Sequence, residues 1–443
     1  MLRFGTDGVR GVANLELTPE LVLALGRAAA RVLRASHFVV GRDTRRSGPL
    51  LEAALVAGLT AEGADVELLG VAPTPAVAWL SARDGLAGAV ISASHNPYQD
   101  NGVKLFGPGG RKLSDEIEDA LEAELHALLH GEALRDPLVG ASVGTVTEGG
   151  ADVARWMESV VSSTDGRGLQ GLRVVVDCAN GAATLLGPKV LRALGAHVEV
   201  LHADPDGTNI NERSGSTHPA DLRRAVVQSG ADAGIAFDGD ADRALAVDAA
   251  GRLIDGDQIM AIVAIDRKAR GVLVDDAVVV TVMTNLGFRR GMADHGIDVI
   301  EVPVGDRHVL AVLDQRGLSL GGEQSGHVIF HDLATTGDGL LTAVQLLDVV
   351  AHSGRPLGEL ADAAMTKLPQ VLRNVAVPAA GRDVAAELTA EVAAAEAELG
   401  EHGRVLLRPS GTEPLVRVMV EAPTMDQAEG LADRLAGAVA ELG

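Results

Sequence analysis

A chain of 443 residues with 47 % hydrophobic content is too long for one hydrophobic core and divides into three or four domains at roughly 100 to 200 residues each. A formal charge of −23 excludes general attraction to nucleic acid or anionic lipid, because long-range repulsion opposes both, and 2 % aromatic residues leave little from which to build a base-stacking platform. The one cysteine, Cys178, excludes an intramolecular disulfide framework and a multi-cysteine zinc site, and fits a reducing compartment.

At the start of the chain Arg3, Asp7 and Arg10 interrupt any basic segment followed by an apolar run, so no secretory leader is expected. The charge-free stretch over 68–82 contains prolines and is shorter than the ~20 apolar residues needed to cross a bilayer. The expectation is a soluble cytoplasmic protein with no membrane contact.

Three segments then repeat one layout of β-branched strand, polar loop, helix, glycine and second strand. The first runs from Phe38-Val39-Val40 through Gly41-Arg42-Asp43-Thr44-Arg45 to the strand after Gly63. The second runs from Val174-Val175-Val176 to the strand after Gly195, and the third from Val278-Val279-Val280 to the strand after Gly296. Each predicts a βαβ unit, and a recurrence of about a hundred residues predicts related α/β domains rather than a solenoid with a period of roughly 20 to 50. That βαβ units look alike in any α/β protein is the plainer alternative.

The tail differs in kind. Val405-Leu406-Leu407 and Val416-Arg417-Val418-Met419-Val420 predict two strands, and Thr424 with Gln427 predicts the cap of a helix carrying Leu431, Leu435 and Val439 on one face. Breaks in composition place the domains at 1–148, 149–249, 250–367 and 368–443, the last a small α+β domain.

Four loops carry chemistry. Ala89-Val90-Ile91-Ser92-Ala93-Ser94-His95-Asn96-Pro97 is a strand ending in a serine that is well placed to carry a phosphoryl group, or else merely a turn. Asp238-Gly239-Asp240-Ala241-Asp242-Arg243 sets three carboxylates two residues apart, so that an extended loop can face all three one way and hold Mg²⁺ or Ca²⁺. An EF-hand is excluded, since Arg243 stands where the calcium loop needs glycine and Ala249 where it needs glutamate; a solvated acidic turn is the alternative.

Gly321-Gly322-Glu323-Gln324-Ser325-Gly326-His327 offers Glu323 and Ser325 to adjacent sugar hydroxyls on a backbone that glycines let approach closely, or is a flexible surface loop. Arg408, Ser410, Gly411, Thr412 and Arg417 are the donors of a phosphate cradle, or of a hairpin turn with charged flanks. Together the loops supply a phosphoryl carrier, a metal cage, a hydroxyl reader and a phosphate grip.

These loops in this order, with the opening Phe4-Gly5-Thr6-Asp7-Gly8-Val9-Arg10-Gly11 and the run Arg408-Pro409-Ser410-Gly411-Thr412-Glu413-Pro414, resemble the α-D-phosphohexomutase superfamily from Phe4 to the end of the chain. Gln324, where members acting on mannose or glucose phosphates commonly have methionine, aligns it with the aminosugar members. The resemblance implies three α/β domains of one fold with mixed sheets and a smaller C-terminal α+β domain around a central cleft. It implies an isomerase that moves a phosphoryl group between the C6 and C1 oxygens of a hexosamine phosphate, in aminosugar precursor synthesis for the cell wall.

It further implies phosphorylation at Ser94 rather than Ser92, and one Mg²⁺ held by Asp238, Asp240, Asp242 and phospho-Ser94. A hexose or hexosamine 1,6-bisphosphate is the implied activator, Lys104, Arg10 and His327 are candidates for proton movement and charge stabilisation, and His95 and Arg243 join the substrate-binding residues. Ala241 departs from the glycine common in relatives, with no loss of metal binding expected. A phosphomannomutase or phosphoglucomutase is the nearest alternative; a non-catalytic sugar-phosphate sensor is the remote one, and a simple phosphatase is also conceivable. Monomer and homodimer both stay open.

Overall fold

The structure, a computed structural model, describes residues 8–132, 135–377, 387–409 and 415–442. It divides into two compact units, Met1–Met283 with Ile297–Ala361, and Thr284–Gly296 with Asp362–Gly443. Among the described residues the first unit holds three mixed sheets and the second a small antiparallel one.

The first sheet is built from β1 (Val9–Val12), β2 (His37–Arg42), β3 (Asp65–Val71), β4 (Ala87–Ile91), β5 (Asp100–Gly107), β6 (Arg111–Lys112) and β7 (Val146–Glu148). The order is β1-β5-β4-β2-β3-β7, with β6 on β5. Phe38, Val39 and Val40 are all buried, the continuous apolar run expected of a parallel strand covered on both faces. The helices Pro19–Leu33 and Gly48–Ala61 cross at two glycines, since a Cβ on Gly26 would meet the Leu55 carbonyl oxygen at 2.4 Å and one on Gly58 that of Leu23 at 2.1 Å. Their close contact seals a core of Leu17, Leu25, Leu51, Leu55 and Leu59.

The second sheet contains β8 (Arg173–Asp177), β9 (His197–Leu201), β10 (Ala233–Phe237), β11 (Ala244–Asp248) and β12 (Leu253–Ile254) in the order β12-β11-β10-β8-β9. The turn at Asp248 closes the β11–β12 hairpin, with the Asp248 carboxylate accepting from the amides of Ala250 and Arg252. The third sheet contains β13 (Ala277–Thr281), β14 (Asp298–Val302), β15 (Leu320–Gly322) and β16 (Val328–Phe330), ordered β14-β13-β15-β16.

One plan underlies all three sheets. A first strand pairs in parallel with the strand its helix leads to, β2 with β3, β8 with β9, β13 with β14. A third strand, β4, β10 or β15, pairs in parallel on the other side, and the chain then turns back into the antiparallel strand β5, β11 or β16. The serine loop, the aspartate loop and the Glu323 loop are these three turn-backs. Each leaves the carboxyl end of a parallel strand, where α/β sheets collect their ligands.

The second unit contains β17 (Gln370–Ala376), β18 (Arg404–Pro409) and β19 (Leu415–Glu421), ordered β17-β19-β18, with the helices Thr389–Leu399 and Met425–Leu442. Val418, Val420, Leu431, Leu435 and Val439 form its core, and the Thr424 hydroxyl accepts from the amide of Gln427 at the helix start. Three α/β domains and a smaller C-terminal α+β domain are therefore the architecture of the chain. No helix among the described residues is long and apolar enough to cross a membrane.

Candidate active site

Ser94 sits just past β4, buried, with a left-handed φ of 52°. Its Oγ donates to Asp238 Oδ2 at 2.6 Å, across 144 residues of sequence. Ser92, two residues earlier, is differently employed: its Oγ donates to Asp43 Oδ2 at 2.6 Å and accepts the Ser94 amide at 2.9 Å. The serine that faces the aspartates is thus Ser94.

The three aspartates follow β10, whose residues are all buried, and themselves lie in the interior. One carboxylate oxygen from each falls within 4.8 Å of the others. Burial, and then the charges of Asp242 and Asp240, raise Asp238 well above the ordinary carboxylate range. Burial pushes Asp242 the same way, but Lys104, His327 and Arg243 outweigh it and hold that carboxyl well below. Among the described residues no hydrogen-bond donor reaches Asp240 Oδ1 or Asp242 Oδ1, both buried. Crowded carboxylates with two such oxygens fit a hard divalent cation, which takes oxygen ligands and relieves their repulsion.

Lys104 arrives from β5, and its Nζ lies 2.6 Å from Asp240 Oδ2 and 3.2 Å from Asp242 Oδ2. The Thr74 hydroxyl donates to the same Asp240 oxygen at 2.6 Å. Arg243 gives its amide to Asp238 Oδ1 at 3.3 Å. Arg10, on β1, pairs in register with Gly102 of β5. Burial, with the charges of Arg243 and Arg10, pushes His95 down to about 4, so this imidazole is neutral at physiological pH.

His327, at the end of the third turn-back, places Nδ1 3.9 Å from Asp242 Oδ2 and Nε2 3.4 Å from Asp306 Oδ2. Burial opposes its charge, but Asp242 and then Asp306 outweigh that and raise its pKa. Glu323 accepts the Gly305 amide through Oε1 at 3.1 Å, and Ser325 is exposed. The first unit therefore gathers Ser94, Lys104, the three aspartates, Arg243 and His327 into one linked cluster. Arg408 and Arg417 belong to the second unit, on β18 and β19; Ser410, Gly411 and Thr412 lie outside the described residues.

Residues not singled out from the sequence also enter. Asp43, Arg45, Thr74, Asn211 and Asp306 bond directly to the loops above. For Asp43 and Arg45, two opposite charges directly after the strand His37–Arg42 were the available signal.

Four domain families match the chain in order. They are phosphoglucomutase/phosphomannomutase alpha/beta/alpha domain I over residues 1–130, domain II over 154–251, domain III over 255–368, and the C-terminal domain over 372–438. The chain belongs to this phosphohexomutase family and is an enzyme, an isomerase working as an intramolecular phosphotransferase.

Its place within the family is with the phosphoglucosamine mutases. The protein of that name from Frankia alni is 56 % identical over 450 residues, covering 98 % of this chain and 97 % of the relative. That from Frankia casuarinae is 57 % identical over 450 residues, with 98 % and 97 % covered. Among solved structures, a phosphoglucomutase/phosphomannomutase family protein from Burkholderia thailandensis superposes with a TM-score of 0.82 at 26 % identity, covering 99 % of this chain and 98 % of the other.

Proposed function

We propose that this enzyme interconverts glucosamine 6-phosphate and glucosamine 1-phosphate through a phosphoserine at Ser94 and a 1,6-bisphosphate intermediate. The observation that carries the proposal is the 2.6 Å contact between Ser94 Oγ and Asp238 at the buried aspartate cluster. Asp238, Asp240, Asp242 and phospho-Ser94 would hold Mg²⁺, which neutralises charge on a transferring phosphoryl group.

In the forward reaction the sugar O1 attacks phosphorus, a P–O1 bond forms as the P–Oγ bond breaks, and the broken bond's electron pair stays on Oγ. The hydroxyl proton leaves O1 and one proton is returned to Oγ, with Lys104, Arg10 and His327 as the residues serving that exchange. The bisphosphate turns over and returns its C6 phosphoryl group to Ser94, which frees glucosamine 1-phosphate. Arg408 and Arg417, with Ser410, Gly411 and Thr412, are proposed to grip the phosphate that is not reacting. Glu323 and Ser325 read the sugar hydroxyls, and His95 and Arg243 complete the contacts.

A hexose or hexosamine 1,6-bisphosphate is the proposed activator. The four domains are proposed to divide near residues 148, 249 and 367. A buried, lone Cys178 suits the reducing cytoplasm. The sugar is tested by kcat/KM on glucosamine, mannose and glucose 6-phosphates, where a preference for either of the last two would replace glucosamine. Ser94→Ala should abolish turnover with the fold intact, and full activity there would discard the phosphoserine.

A further inference from the structure

The main chain of Ser94 is held as tightly as its hydroxyl, by residues that do not belong to the aspartate cluster. Its carbonyl oxygen accepts from two side chains at once, Arg45 Nη2 at 2.9 Å and Asn211 Nδ2 at 2.9 Å. The same two nitrogens also reach the carbonyl oxygen of Asn96, each at 2.9 Å. Arg45 extends the grip through Nη1 to the carbonyl oxygens of Asp100, at 3.0 Å, and Pro97. On the other side of the residue, the Ser94 amide is fixed through Ser92 to Asp43, and Asp43 pairs with Arg45 Nε at 2.8 Å.

Both polar backbone groups of Ser94 are therefore anchored while its φ of 52° stays in a region that L-residues avoid. A buried ion pair such as Asp43–Arg45, with both side chains 0 % exposed, is weak evidence for stability, since apolar replacements often serve as well. Four carbonyl oxygens on a single guanidinium instead point to a role in setting loop geometry. Asn211 carries that geometry across domains. It comes from the segment after β9, and a Cβ on Gly239 of the aspartate loop would meet the Ser94 carbonyl oxygen at 2.5 Å and Asn211 Nδ2 at 3.0 Å. Serine loop, aspartate loop and Asn211 thus meet at one point.

We infer that Arg45 and Asn211 are positioning residues that hold the left-handed turn at Ser94 and so set its Oγ against the aspartates for both phosphoryl transfers. The inference rests on the proposed phosphoserine. Ser94 must give up its phosphoryl group to one end of the sugar and take one back from the other end at the same place, and a carrier displaced by about 1 Å loses on the order of a hundredfold in rate. Because neither side chain is assigned to the sugar phosphate, loosening them should lower kcat and leave KM nearly unchanged.

The test uses the full chain with Mg²⁺, its Ser94 loaded from ³²P-labelled glucose 1,6-bisphosphate. Turnover is measured at steady state and label transfer to glucosamine 6-phosphate in a single turnover. Asn211 is itself left-handed, with φ 59°, so Asn211→Gly removes the amide without adding strain. It should lower kcat and the single-turnover rate together by about tenfold, with KM within about twofold; Arg45→Lys should lower both by about a hundredfold. If Arg45→Lys does not fold, Asn211→Gly decides alone. Label on Ser94 with both rates within about twofold of the parent in folded Asn211→Gly, or a raised KM at unchanged kcat, overturns the inference by itself. Absence of label from Ser94 in the parent enzyme overturns the phosphoserine reading, and the positioning role with it.

Discussion

Lys104 Nζ rests 2.6 Å from Asp240 Oδ2, so an ammonium from a strand of the first sheet and a carboxylate from the loop after β10 share the interior of the candidate active-site cluster. The lysine neutralises part of the charge that would otherwise attract a divalent cation. Lys104→Ala is therefore expected to bind Mg²⁺ more tightly than the parent while kcat falls on the order of a hundredfold. Asp240→Asn should move the metal titration the other way, by about tenfold. Calorimetric titration with Mg²⁺ beside steady-state rates checks both, and an unchanged midpoint in Asp240→Asn would remove that residue from the cage.

Ala241 occupies the position between Asp240 and Asp242 with φ 57° and no exposure. A left-handed alanine costs about 1 kcal/mol more than glycine there, less the entropy glycine loses on folding. Ala241→Gly should raise the thermal midpoint by roughly 1 to 2 °C with Mg²⁺ affinity unchanged. Differential scanning fluorimetry with and without metal reads both, and a lowered midpoint would show that the methyl contributes packing that outweighs the strain.

The raised pKa of His327 gives stability a definite pH dependence. Its folded value stands above the ordinary 6.5, so the folded protein binds the proton more tightly than the unfolded chain. This stabilisation is complete below about pH 6.5 and is lost as pH rises through the folded value. Denaturant unfolding of the parent and His327→Asn in chelator, from pH 5.5 to 9, should show a stability gap that narrows as pH increases. A gap constant over that range would mean that folding leaves the proton affinity of His327 unchanged, and a gap that widens between pH 5.5 and 7 would mean that the buried imidazole stays neutral.

Arg408 and Arg417 face one another across β18 and β19 as register partners. Like charges directly opposite in a strand pair disfavour each other, and an anion shared between them turns that cost into a gain. Arg417→Ala should raise KM for the sugar phosphate about tenfold or more while kcat changes less. A KM within about twofold of the parent would take Arg417 out of phosphate recognition.

The parts of this architecture visible in the sequence are those whose signals are local. Val39, Val174 and Val278 stand in β-branched runs that became β2, β8 and β13, and the two-residue spacing of Asp238, Asp240 and Asp242 matched a cluster of carboxylates. The first strand of the C-terminal sheet was not anticipated. β17 carries Gln370, Arg373 and Asn374, and Val371 is its only fully buried residue, so the apolar alternation is too thin to announce a strand. Arg45 was legible as a charged loop residue, but not as a ligand of four carbonyls around residue 94, because bonds made across about fifty residues leave no periodic trace.

Residue types and spacings alone determined the repeated βαβ units, the carboxylate triplet, the candidate serine and the different character of the tail, since strand, helix and ligand spacing are short-range properties of the chain. Tertiary structure alone decided that the three loops occupy the same turn-back in three sheets. It also decided that Ser94 rather than Ser92 reaches Asp238. Those outcomes depend on strand order and on a left-handed backbone angle held by distant side chains, which packing imposes from outside the segment itself.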